Sequence, residues 1–168
     1  MMRMVDPLLA ELDQEAPPTR QLLARVPGDK LGWKPHAKSM SLGQLALHVA
    51  TIPGNVAGIF ATDHFEVPAF EQPSAQSAAE LVPALEQSIR TAKELLGTLD
   101  DHQAMAIWKL VKEEKVLMAA PRIMLLRPFL LNHWYHHRGQ LSVYLRLLDV
   151  PLPSIYGPSA DENPFAGG

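Results

Sequence analysis

His133 and His137 stand four residues apart in the string Asn132-His133-Trp134-Tyr135-His136-His137-Arg138-Gly139-Gln140. On a helix this step places both imidazoles on one face, within reach of a single metal ion at about 2.0–2.1 Å. At about 100° per residue the same face carries Phe129, Leu130, Gln140, Leu141 and Tyr144, so it is otherwise apolar and looks inward. A buried polar group without a partner costs about 1–3 kcal/mol, so the two rings need company. His48, on the stripe Leu45, His48, Val49, Ile52, Val56, Ile59 and Phe60, is the natural third group. An HxxxH pair alone is a weak signal, and a lone histidine at 48 is an ordinary core residue. Both together, on inward faces of two helices, point to a metal site. The pair lacks the glutamate of HExxH, so no zincin-like general base comes with it.

The neighbours are less determined. His136, about 60° from the axis of the pair, is open between a fourth ligand, a group supporting the ligands and a flank residue. Gln140, between the two histidines, is a candidate to orient a bound water or ligand. Tyr144 is a candidate to contribute an O–H, with core packing as its ordinary role. Asn132 and Arg138 point off the face. Arg138 suits a dimer contact or the C-terminal strap, where Asp161 and Glu162 could fold back onto it. His36, His64 and His102 fall in loops or element ends and read as surface residues.

The composition narrows the chemistry. The 168 residues include no cysteine, which removes thiolate ligands, iron–sulfur clusters, disulfides and a cysteine nucleophile. Three neutral imidazoles leave a divalent ion its full charge and an open position. Such an ion lowers the pKa of bound water toward 7, or binds and deprotonates a thiol. The first route is that of a hydrolase; the second, of a thiol transferase or thiol-assisted isomerase whose thiol arrives as a cosubstrate. Zinc, nickel and iron all accept three imidazoles. The alternative in a different class is a non-catalytic, stress-related bundle whose metal only stabilises it. A net charge of -3 and pI near 6.1 argue against nucleic acid as partner.

The positioning elements read as four helices in one domain, 1–168. The first starts with Asp6 as N-cap and Pro7 at the first helical position, is kinked or broken at Pro17-Pro18, and stops at Pro27-Gly28. The second opens with a capping box, Ser41 to Gln44, and bends at Pro53-Gly54. A connecting loop over 62–76 follows. The third opens with a second box, Ser77 to Glu80, and runs through Leu81, Leu85, Ile89, Ala92, Leu96 and Leu99. Residues 104–119 alternate around Lys112-Glu113-Glu114-Lys115, as a small hairpin with a charged tip or as irregular chain. The fourth helix spans about 121–148 and bends at Pro128. Residues 149–168, with four prolines, form a strap over the body. Four helices with one buried stripe each fit an all-α four-helix bundle. The first residues, rich in Asp and Glu, do not read as a secretory signal, and the most apolar stretch, 116–131, is too interrupted to span a bilayer. The expected location is the cytoplasm.

The run Asn132-His133 with His136 through Arg146 strongly resembles the last helix of the DinB family. Residues 151–162, PLPSIYGPSADE, match that family's ending, and 39–50, SMSLGQLALHVA, its second helix. The resemblance covers the whole chain in order. It implies the up-down-down-up bundle of DinB/YfiT-like proteins, a homodimer, and a divalent metal held by His48, His133 and His137. Relatives include enzymes that use bacillithiol, mycothiol or glutathione as the sulfur nucleophile, so a low-molecular-weight thiol and a small-molecule substrate are implied partners.

Overall fold

The computed structural model describes residues 1–68 and 72–165. Helix α1 (Asp6–Leu23) begins at Asp6, its expected cap, so Val5 takes the cap position, without a side-chain bond. Asp6 instead accepts hydrogen bonds from the Arg3 backbone N–H (2.7 Å) and guanidinium. The chain runs helical through Pro17 and Pro18 with no break. A proline frees the carbonyl four residues earlier; here these belong to Asp13 and Gln14, which are exposed and can turn to water. The helix ends at Leu23, before Pro27-Gly28, and a 3-10 turn follows at Gly28–Lys30.

Helix α2 (Leu42–Phe60) starts at the expected capping box, with Ser41 and Gln44 bonded reciprocally. It too continues through its proline, Pro53. Gly54 has a packing role: a Cβ there would lie 3.0 Å from the Ser88 carbonyl oxygen, and the Gly54 N–H donates to Ser88 Oγ at 2.7 Å. The second box, Ser77 with Glu80, caps a 3-10 turn that leads into α3 (Leu81–Gly97). A five-residue helix, α4 (Asp101–Met105), has its own box from Asp100 and Gln103.

The fold is helical, as expected, but it also carries a small three-stranded sheet, so the all-α expectation needs correction. Strands β2 (Ile107–Lys112) and β3 (Lys115–Pro121) form the charged-tip hairpin. Glu113 and Glu114 take positive φ at its turn, the conformation whose twist matches a tight hairpin. Strand β1 (His64–Glu66) lies parallel to β2, inside a segment expected to be loop only. Buried Arg122 accounts for it, donating to the Thr62 carbonyl and Asp63 Oδ1, both at 3.1 Å, and to the Gln103 carbonyl. This ties the start of β1 to α4, the helix that leads into β2, a contact between distant positions that local patterning does not reveal. Residues 69–71 of that loop and 166–168 of the strap lie outside the described residues.

The last helical stretch begins with α5 (Arg122–Leu126), opens into a wider π-type turn over Arg127–Asn132, and continues as α6 (His133–Leu147). Pro128 thus widens the helix where a bend was expected. Helix α2 packs on α3 and α6, and α1 packs on α3. Leu12, Leu45, Leu81, Leu85, Leu126, Leu141 and Leu145 are fully buried between them. No helix among the described residues is long and apolar enough to cross a membrane.

Candidate metal centre

Helices α2 and α6 are locked in register by a bond that originates in a proline. Pro53 has no N–H to give to the Val49 carbonyl. The indole of buried Trp134 supplies it instead, donating to Val49 at 2.8 Å. His48 precedes Val49 and His133 precedes Trp134, so this bond sets the two histidines against each other. Sequence reasoning saw Pro53 as a bend and gave Trp134 no role. The pairing of a mid-helix proline with an indole beside a histidine was the available signal.

The three histidines converge: one nitrogen from each of His48, His133 and His137 lies within 4.8 Å of the others. The Nε2 atoms of His48 and His133 are 3.3 Å apart. A tetrahedral ion with bonds of about 2.0–2.1 Å would hold two ligand nitrogens about 3.3–3.4 Å apart. The ring centroids of His137 lie 4.5 Å from His48 and 4.6 Å from His133.

One ring is steered from behind. His137 Nδ1 donates to Gln140 Oε1 at 2.8 Å, which leaves Nε2 as the ring's lone pair. The Phe129 backbone, inside the wide turn, favours the charged form of His133. A carbonyl or amide oxygen behind a ligating imidazole fixes its tautomer and raises its basicity. Burial, reinforced by His137 and His133, pushes His48 down to about 4. Burial also lowers His133 and His137, against the hydrogen bonds to Phe129 and Gln140 that favour their charged forms. All three are therefore neutral near pH 7 and present lone pairs, as a metal requires.

Gln140 is thus placed on His137, at the edge of the cluster. Tyr144 lies further along, its hydroxyl donating to the Met40 carbonyl at 3.3 Å and its ring edge-on to Trp33. His136 is exposed and outside the cluster, and His36, His64 and His102 are exposed as expected. Among the described residues no carboxylate joins the three rings.

Further around α6, Arg138 is 2% exposed. It pairs with Glu15 of α1 at 2.6 Å, donates to Thr19 Oγ1 at 3.0 Å and bonds the Tyr156 hydroxyl of the strap. Its guanidinium carbon also lies 5.1 Å and 5.0 Å from the rings of Tyr135 and Tyr156, within cation–π range. The strap reading of Arg138 holds, but the acidic residues of the strap go elsewhere: Asp161 to Arg146 and Glu162 to Arg25. The charge on Arg138 is met by Glu15, 123 positions away and invisible to local patterning.

The family model described as "DinB family" matches residues 1–164. The chain belongs to the DinB family. It is similar to YrdA of Bacillus subtilis (strain 168), itself uncharacterized, with 28% identity over 164 residues that cover 96% of this chain and 93% of YrdA. Among solved structures, a DinB-like protein from Bacillus cereus matches at TM-score 0.68 with 23% identity, covering 90% of this chain and 97% of that one. A second from Bacillus subtilis, YjoA, matches at TM-score 0.66 with 18% identity, covering 89% and 98%. These two likenesses establish the DinB-like fold.

Proposed function

We propose that this DinB protein is a metal-dependent enzyme, a thiol-dependent S-transferase whose divalent ion is held by His48, His133 and His137. The observation that carries the reading is the convergence of three neutral ring nitrogens with no carboxylate or fourth histidine among the described residues to close the set. An ion bound there would act as a Lewis acid that turns a coordinated water or thiol into a nucleophile near pH 7. The chain's own residues orient the rings: Gln140 fixes His137, and Trp134 holds α6 against α2.

Hydrolysis would be served by a carboxylate or free histidine as general base within hydrogen-bond reach. Among the described residues no carboxylate joins the three rings, and a thiol, more acidic than water to begin with, would need no such base beside the ion. With no cysteine in the chain, the thiol is a cosubstrate. Zinc, nickel and iron are the candidate ions. The up-down-down-up order of the helices, a homodimer, a cytoplasmic location and no nucleic-acid partner belong to the same proposal.

Metal analysis of protein purified without a histidine tag tests it. The expected result is one divalent ion per chain, lost in His133→Ala, and thiol consumption with electrophilic substrates that requires the ion. Metal content that is substoichiometric and unchanged in His133→Ala would overturn the reading.

A further inference from the structure

A cleft of about 280 Å³ opens beside His48 and His133, between the middle of α2 and strand β1. It is at the small end for ligand sites, which run to roughly 300–1,000 Å³. Its walls are Ile52, Val56, Ile59 and Phe65. The polar groups along it are neutral, and most are already spent. Thr51 Oγ1 donates to the Leu47 carbonyl of its own helix at 2.9 Å, and the Gln72 carbonyl accepts from Gln44 Nε2 at 3.0 Å. The Asn55 carboxamide, exposed at the rim, has no hydrogen-bond partner among the described residues. No lysine, arginine or carboxylate among the described residues lines the cleft.

An anionic ligand entering such a space would shed water without a cationic side chain to replace it, which is costly. An apolar one gains from the same walls. A cation would meet repulsion from a divalent ion at the histidines.

We infer that this cleft is a binding site for a small, uncharged, apolar organic molecule, held beside His48 and His133, with the Asn55 amide as a polar contact at the rim. The inference rests on the metal reading above for the position of the reacting atom. It assigns the cleft to the apolar body attached to the reacting atom, and excludes a carboxylate from it.

The test compares two thiols that differ by a single carboxylate. Cobalt(II)-loaded, untagged protein is titrated with phenylmethanethiol and with 4-(sulfanylmethyl)benzoate, followed by the visible absorption of the cobalt. The neutral thiol should bind at least about tenfold more tightly, about 1.4 kcal/mol. Asn55→Lys, at an exposed position, should narrow that ratio about threefold or more, and Asn55→Asp should widen it, with cobalt stoichiometry unchanged in both. Equal or reversed affinities in the wild type, or a ratio unmoved by both variants, would overturn the assignment. If cobalt does not bind at all, the metal reading fails on its own. The cleft is then judged on the metal-free protein by toluene: shifts confined to the Val56 and Ile59 methyl signals support it, and their absence overturns it.

Discussion

His137 and Arg138 are adjacent in sequence and point about 100° apart around α6, where they solve the problem of a polar group in a core in opposite ways. Arg138 is 2% exposed and fully engaged, by Glu15, Thr19 and Tyr156. Its charge is cancelled and both terminal nitrogens are used, so its role is to hold α1, α6 and the strap together. His137 is half-buried and engaged on one nitrogen only, by Gln140. Its other nitrogen faces His48 and His133, where burial keeps all three rings neutral. Satisfied burial marks a structural hub; convergent lone pairs that answer to nothing else in the chain mark a site.

The sharpest way to break this contrast is to remove a member of each group and measure both metal content and stability. His133→Ala should weaken metal binding at least about a thousandfold, about 4 kcal/mol, measured by competition with a chelator. Arg138→Met should do the reverse: a loss of about 3–5 kcal/mol in urea unfolding, because Glu15 is left as an unpaired, nearly buried charge, with one ion still bound per folded chain. If Arg138→Met lost the ion while keeping its stability, the two groups would not be separate devices.

Gln140→Leu sharpens the boundary between them. Removing the acceptor behind His137 should cost about 10–100-fold in metal affinity, with little change in the urea midpoint of metal-free protein. The pH dependence of that metal-free protein isolates His48. The folded chain holds it near 4, against its ordinary 6.5, so between these values the unfolded chain binds a proton that the folded one refuses. Stability should therefore be full above pH 6.5 and fall as the pH drops toward 4. The thermal midpoint should decline by about 3 °C or more between pH 7.5 and 5, and less steeply in His48→Gln. The smallest effect is expected from Tyr156→Phe, which deletes the hydroxyl shared by Arg138 and Glu15 but leaves that ion pair intact, and should cost about 0.5–1 kcal/mol in urea unfolding with metal affinity unchanged.

The site was largely legible in the sequence because its signals are local. The four-residue step from His133 to His137 and the place of His48 on a helical stripe need only helix geometry. The same holds for the capping boxes at Ser41 and Ser77 and for the charged hairpin tip. Features that depend on distant partners were hidden. Strand β1 pairs because Arg122 reaches Thr62 and Asp63 across some sixty positions. Arg138 is buried because Glu15 meets it from the other end of the chain. The prolines were misjudged for a related reason. A freed carbonyl interrupts a helix only when nothing else answers it, and water is available to Asp13 and Gln14, as Trp134 is to Val49.

The wide turn at Arg127–Asn132 has a consequence for how chain length can vary here. It holds one residue more than an α-turn would, so deleting one residue from it would return the backbone to 3.6 residues per turn and leave α6 in phase. The same deletion between Trp134 and His136, in regular helix, would rotate everything after it by about 100°. Arg138 would then occupy the place of His137, which would bring a guanidinium into the ring cluster and strip Glu15 of its partner, undoing both groups together. The Glu113-Glu114 turn, which projects from the sheet, can gain or lose residues at no such cost. Between His133 and His137 the spacing is fixed to the single residue.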